Sequence, residues 1–205
     1  MKIKAVQKFL GLLLTVFSFT MLPPVVISWV YQDGEAQPFI TAFLVILGAG
    51  LAIFVPVMRS RQDLRLRDGF LVVALFWLAL GMAGALPFVL SKEPHLTPTN
   101  AIFESISGLT TTGATVILGL DEMPKSILFY RQQLQWLGGM GIIVLAVAVL
   151  PMLGVGGMQL YRAEMPGPMK DRKLTPRIAE TAKALWYISI WGSPLLAPWP
   201  IGVLA

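Results

Sequence analysis

Long apolar stretches alternate with short charged segments along this chain. Apolar runs of roughly 20 residues match the hydrocarbon thickness that a single helix must cross. Such runs occupy residues 9–30, 39–58, 69–90 and 127–153, and another begins near Ala184. The charged segments that separate later spans are residues 59–68 and 154–183. This pattern predicts an all-α membrane protein that begins with a two-helix transmembrane unit, residues 1–58.

Two consecutive prolines mark the first of these spans. Because proline lacks an N–H and clashes with the preceding turn, Pro23 and Pro24 should kink the helix or end its regular part. Basic residues followed by an apolar run also fit a cleaved signal peptide. However, no small-x-small cleavage site precedes the prolines, and the apolar run continues beyond them to Val30.

One small, polar stretch interrupts the apolar pattern between the third and fourth spans. Residues 110–116 read TTTGATV, and residues 99–109 before them can form about three helical turns with Thr99 or Asn100 as N-cap. A helix of that length crosses only about half a bilayer. Irregular backbone is tolerated at membrane depth only where protein or a water-filled cavity surrounds it. We therefore predict a re-entrant pore helix, 99–109, followed by a filter loop, 110–116, whose carbonyls face a cation.

The basic residues predict the orientation of the chain. All but Lys92, Lys125 and Arg131 of the 16 Lys and Arg residues lie in the amino-terminal segment, in the loop at 59–68 or in the segment at 154–183. Because positively charged loops remain in the cytoplasm, we expect these segments, and the amino terminus, on the cytoplasmic side. Residues 69–153 then form one pore repeat of span, half-helix, loop and span, entered from outside.

Composition excludes several classes of function. Hydrophobic residues make up 56% of the chain and charged residues 13%, against roughly 25% charged in soluble domains. With no Cys and one His, the chain has no thiolate chemistry and no Cys-based metal site. Glu104 is the single acid between the third and fourth spans that can be buried, so paired catalytic groups are absent. We expect no enzyme activity, no covalent cofactor and, despite the net charge of +5, no nucleic-acid partner.

Two charged residues are candidate supports of the filter, and each has two interpretations. Arg131 begins the fourth span and either snorkels to the membrane interface or pairs with Glu104 behind the loop. Glu104 either tunes the electrostatic field at the cation or satisfies a helix terminus.

The loop and its surroundings also resemble a known family. Three segments carry the resemblance: residues 103–115 (FESISGLTTTGAT), residues 128–141 with LFYRQ and QWLGGMG at their ends, and residues 156–168 (GGMQLYRAEMPGP). They are similar to the first pore loop and the following segments of the Trk-type bacterial potassium uptake subunit, TrkH, of the Trk/Ktr/HKT superfamily. We expect this resemblance to extend from the start of the chain to about Trp186.

The resemblance implies a fold of four such repeats around one pathway and K+ as the transported ion. It implies that filter carbonyls bind K+, first those of Thr111 and Thr112, then those of Thr110, Gly113 and Ala114. It further implies a bacterial inner-membrane location, a homodimer in the full-length form, contact with membrane lipid, and a cytosolic nucleotide-binding ring as regulatory subunit.

The tail and the number of filter loops set this sequence apart from that pattern. After Tyr187, the segment up to Pro200 is rich in proline, and residues 184–205 read as a truncated or divergent start of a second repeat. Because one loop cannot enclose an ion, we expect a truncated product that does not conduct alone. The alternative is a self-assembling cation channel subunit in which several copies form the pore.

Overall fold

The computed structural model of the chain describes residues 3–59, 66–144 and Tyr187. In these residues every regular element is a helix, as the sequence predicts. The six α-helices are α1 (Ile3–Ser18), α2 (Leu22–Tyr31), α3 (Ala36–Phe54), α4 (Leu66–Leu90), α5 (Pro98–Leu109) and α6 (Lys125–Val144). The contacts reported below lie within the compact unit that ends at Gln135. The expected end of the fourth span, the segment 154–183 and, Tyr187 apart, the tail 184–205 lie outside the described residues.

Three helical stretches among the described residues are long and apolar enough to cross a bilayer: Ile3–Tyr31, Ala36–Val57 and Val73–Leu90. They fall on the first three runs of the hydrophobic pattern. Large apolar side chains on their outer faces are exposed, for example Val30, Leu44 and Leu78. Because lipid tails solvate such side chains as well as a protein core does, these outer faces suit a bilayer.

The first stretch is interrupted at the proline pair. One turn of 3₁₀-helix, Phe19–Met21, separates α1 from α2, and the prolines lie at the start of α2. Proline at position 24 has no N–H to donate to the carbonyl four residues earlier, which is that of Thr20. Instead, the Gln133 side chain donates its Nε2–H to the Thr20 oxygen at 2.9 Å. The interruption thereby creates an acceptor for a residue of α6.

Glycines bring α1 and α3 into close contact. A Cβ on Gly11 would lie 2.7 Å from the backbone nitrogen of Phe54, and one on Gly50 would lie 2.8 Å from that of Thr15. Small residues at such crossings let membrane helices approach closely. Among the helix pairs of the residues that the structure describes, α1 and α3 pack together extensively at this crossing.

Tyr130 connects α6 with the helices before it. Its side chain is fully buried, and its ring packs edge-on against Phe39 of α3 and beside Phe88 of α4. Its hydroxyl donates to the carbonyl oxygen of Gly84 at 2.9 Å. A Cβ on Gly84 would lie 2.5 Å from the Ser105 hydroxyl of α5, so the glycine also lets α5 lie close to α4.

Candidate ion-binding loop

The short helix α5 begins slightly earlier than the sequence pattern suggests. Its N-cap is Thr97, whose hydroxyl accepts from the Asn100 N–H at 3.4 Å, and Pro98 occupies the first turn. The expectation that Thr99 or Asn100 caps the helix is therefore wrong. Proline at the first helical position is a strong start signal, because its missing N–H would have no partner there. The helix has 12 residues and is about 18 Å long, roughly half the thickness of a bilayer.

The chain leaves the helical path directly after Leu109. The N–H groups of Thr110, Thr111 and Thr112 donate back to carbonyl oxygens of the last helical turn, at Ile106, Gly108 and Ser107 respectively, over 2.8–3.0 Å. Residues 112–117 then adopt no regular structure. The loop is thus tied to the end of α5 through its N–H groups.

Two residues of the loop have left-handed backbone conformations. Gly113 has φ 74° and Thr111 has φ 58°. Glycine adopts a positive φ without steric cost. A β-branched threonine there is a genuine outlier, and such backbone strain costs on the order of 1–3 kcal/mol and concentrates at functional sites. A Cβ on Gly113 would meet only the Gln135 Nε2 at 3.4 Å, so its backbone angle rather than crowding requires glycine.

The carbonyl groups of the loop fall into two sets. Among the described residues, none of the backbone–backbone hydrogen bonds outside the helices accepts at a carbonyl oxygen of residues 110–113. Ala114 differs, because its carbonyl oxygen accepts from the Ser107 hydroxyl at 2.6 Å and is thereby turned toward α5. This contact counts against Ala114 as one of the ion ligands that the resemblance implies.

Glu104 lies at the centre of the contacts that hold the loop. The residue is buried, with 3% of its surface exposed. One carboxylate oxygen accepts from the Thr115 hydroxyl and from the Val116 N–H, each at 3.1 Å. The other accepts from Arg131 Nε in an ion pair. Arg131 therefore pairs with Glu104, which is the second of the two interpretations given above. Its side chain is 17% exposed.

A small polar cavity lies beside this ion pair. Its volume of about 20 Å³ has room for about one water molecule. Its lining includes Glu104, Ser107, Gly113, Ala114, Arg131 and Gln135. The cavity therefore borders the back of the loop and the charged pair at once.

Sequence reasoning missed a second polar cluster, in the turn between α2 and α3. Asp33 and Glu35 read as a short acidic turn, yet both accept hydrogen bonds from residues more than fifty positions away, at Lys92 and Ser126. The available signal was that a buried helix start such as that of α6 needs acceptors for its first N–H groups. No sequence pattern identifies which residue provides them.

Taken with the apolar helices, this loop defines an all-α membrane protein of the pore-loop class, in which a half-helix and an irregular return segment lie between two spans. A family model described as "TrkH: Cation transport protein" matches residues 36–193. The chain therefore belongs to the TrkH family of cation transport proteins. The match continues past Trp186, the point at which we expect the resemblance to end.

Individual relatives agree with this assignment. The Trk system potassium uptake protein TrkH of Vibrio parahaemolyticus is 61% identical over 188 residues, which are 92% of this chain and 39% of the relative. Its namesake in Salmonella typhimurium is 56% identical over 207 residues, 100% of this chain and 43% of the relative. The chain thus spans about two fifths of the length of the curated relatives it matches.

A solved structure supports the fold as well. The crystal structure of the potassium transporter TrkH from Vibrio parahaemolyticus superposes with a TM-score of 0.78 at 54% identity, covering 93% of this chain and 37% of that chain. Together with the helices above, this match confirms the predicted fold class.

Proposed function

We propose that this chain forms part of a K+ uptake pathway, in which carbonyl oxygens of residues 110–113 replace part of the water shell of the ion. The observation that carries this proposal is the course of the loop. Its N–H groups are bonded back to α5, and the backbone hydrogen bonds of the described residues leave the 110–113 carbonyls without an N–H partner. Carbonyl oxygens presented in this way are the ligands that selectivity filters use for K+.

The position of α5 favours a cation at this loop. The aligned peptide dipoles of a helix place partial negative charge at its C-terminus, and α5 ends at Leu109, immediately before the loop. The ligand set that we propose is Thr111 and Thr112 first, then Thr110 and Gly113. We leave Ala114 out because its oxygen accepts from Ser107.

We assign Glu104 and Arg131 the role of holding the loop. The carboxylate of Glu104 fixes Thr115 and Val116, which follow the ligands, while the ion pair joins it to α6. In this role Glu104 acts through the backbone and does not ligate the ion.

The choice of K+ and the cellular setting rest on the relatives. Proteins of similar sequence are named potassium uptake proteins, which favours transport over catalysis. We propose a multi-pass location in the bacterial inner membrane with a cytoplasmic amino terminus, because most basic residues lie on that side. A cytosolic nucleotide-binding subunit and a homodimer are the partners that we propose for the complete transporter.

One loop supplies only part of a ring of oxygens around an ion, so the test must provide the rest. Bacteria that lack their own K+ uptake systems would express either this chain or a chimera. In the chimera, residues 1–193 replace the aligned part of the Vibrio parahaemolyticus relative. We expect K+ uptake from the chimera and none from the chain alone. Uptake by the chain, together with a tetrameric mass in detergent, would instead show that copies complete the ring.

A matched pair of glycine substitutions tests the loop itself. Gly113 and Gly119 both have positive φ, at 74° and 67°, so replacement by serine strains both similarly. We expect Gly113→Ser to lower the K+ over Na+ uptake ratio of the chimera about tenfold, which corresponds to about 1.4 kcal/mol. Gly119→Ser should leave the ratio unchanged. An unchanged ratio in Gly113→Ser, at normal protein levels, would remove Gly113 from the proposed site.

A further inference from the structure

The turn between α2 and α3 makes specific contacts with two distant segments. Asp33 accepts three hydrogen bonds: from the Ser28 hydroxyl, from the Glu35 N–H at 3.1 Å and from the Ser126 N–H at 2.9 Å. Ser126 is the second residue of α6, and the first N–H groups of a helix have no partner within it. Asp33 therefore caps α6 from another part of the chain, where negative charge also complements the helix dipole.

Glu35 makes the corresponding contact with the segment that follows α4. Its two carboxylate oxygens accept from the Lys92 N–H at 3.3 and 3.2 Å. Glu35 is 3% exposed, so its carboxylate is largely removed from water and depends on this N–H as a donor. Lys92 lies two residues beyond the end of α4, where the helix no longer provides an acceptor.

These two contacts bracket the ion-binding loop along the chain. Lys92 precedes α5, and Ser126 follows the return segment that starts at the loop. Everything between them, including α5 and residues 110–116, is therefore fastened at both ends to one turn. The carboxylates of Asp33 and Glu35 make these contacts. The carboxylates of Glu93 and Asp121, by contrast, belong to exposed residues.

We propose that Asp33 and Glu35 are positioning residues for the ion-binding loop, and that the two amino-terminal spans act on the pathway through this turn. The proposal rests on the proposed function for its consequence in transport, but its structural part is independent. The turn holds the end of α4 and the start of α6 at a fixed distance from each other. The segment between these two helices, which includes the loop, must span that distance. Neither residue contacts the ion.

Hydrogen–deuterium exchange of the 205-residue chain in lipid nanodiscs tests the structural part. We expect Asp33→Ala to speed exchange about tenfold in peptides that cover residues 110–128, and Glu35→Ala to do so in residues 91–97 and 110–119. Asp33→Asn, which keeps one acceptor oxygen, should show a smaller effect. Asp121→Ala and Glu93→Ala, in the same two segments, should change neither.

Two results of that measurement would overturn the proposal. One is unchanged exchange in both segments of the alanine variants. The other is an equal rise in all peptides, including those of α1 and α3, because the turn would then contribute only to general stability.

The chimera described above tests the functional part. Asp33→Ala should lower its K+ over Na+ uptake ratio several-fold at normal protein levels, while Asp121→Ala leaves that ratio unchanged. An unchanged ratio in Asp33→Ala contradicts the coupling to the pathway. If the unsubstituted chimera takes up no K+, the proposed function fails, and the exchange measurement still decides whether the turn positions the loop.

Discussion

Replacing Glu104 should separate its two contributions, the ion pair and the loop contacts. Removing one partner of a buried ion pair costs about 3–5 kcal/mol. For Glu104→Ala we expect the free energy of unfolding to fall by about 3 kcal/mol, the lower end of this range. The reason is that 17% of the Arg131 side chain is exposed, so water can reach part of its charge. Val116 and Thr115 are exposed residues, so their donors can find water and add little to this cost. For a chain of about 200 residues, 3 kcal/mol corresponds to a midpoint of thermal unfolding lower by about 6–12 °C.

Glu104→Gln distinguishes the two contributions. An amide oxygen can still accept from Thr115 and Val116, but the amide carries no charge for Arg131. We therefore expect a loss of stability similar to that of the alanine variant, with the K+ over Na+ uptake ratio of the chimera retained. The alanine variant should lose both.

Circular dichroism during heating of the purified chain in detergent measures the unfolding midpoints, and Arg131→Met with the double variant Glu104→Gln/Arg131→Met completes a mutant cycle. The loss of stability in the double variant should be smaller than the sum of the two single losses by about 2 kcal/mol. The reason is that the double variant removes both charges, so no buried charge is left unpaired. Additive losses would refute the ion pair as an energetic unit. A folded alanine variant with an unchanged ion ratio would refute the loop-holding role.

Three further predictions concern packing, a buried hydrogen bond and pH. Gly11→Ala should destabilise the chain by about 1–3 kcal/mol through overpacking against the neighbouring backbone, whereas Gly48→Ala, with open space around it, should be neutral or slightly stabilising; thermal unfolding of the two variants compares them. Gln133→Leu should cost about 1 kcal/mol because a carbonyl loses its donor, and Gln132→Leu on the exposed side of the same helix should cost nothing measurable in the same assay. Burial raises the pKa of the Glu35 carboxyl, only partly offset by the N–H groups it accepts from. The folded state thus binds that proton more tightly, and stability should fall as pH rises through the folded pKa; Glu35→Gln should abolish this fall in unfolding midpoints measured from pH 4 to 8, and a parallel pH profile would contradict it.

The sequence predicts the features of the chain that depend on its composition and on the lengths of its apolar runs. Apolar runs are visible without tertiary information, because a bilayer demands a fixed length of hydrocarbon-compatible helix. The half-helix was also predictable, since a segment too short to span is followed by TTTGATV. The helix starts earlier than the prediction because Thr99 and Asn100 follow Pro98, whereas a first-turn proline indicates that the cap precedes it.

Contacts between distant segments could not be predicted in the same way. Whether Arg131 reaches Glu104 or the membrane interface depends on how α6 is rotated against α5, and both outcomes suit the local sequence. Asp33 and Glu35 gave even less indication, because acidic residues in a short turn are usually solvated. Their distant partners are backbone N–H groups, which every residue except proline possesses, so side-chain patterns carry no trace of the pairing.

The carbonyl of Thr20 that Pro24 leaves without its helical donor limits how the first helix can be exchanged. A uniform leucine anchor of equal length would insert into a bilayer equally well. The carbonyl at position 20 would then accept from the N–H four residues later, and the buried Gln133 amide would lose its acceptor. Grafting experiments that swap this helix should therefore carry the proline pair along with it.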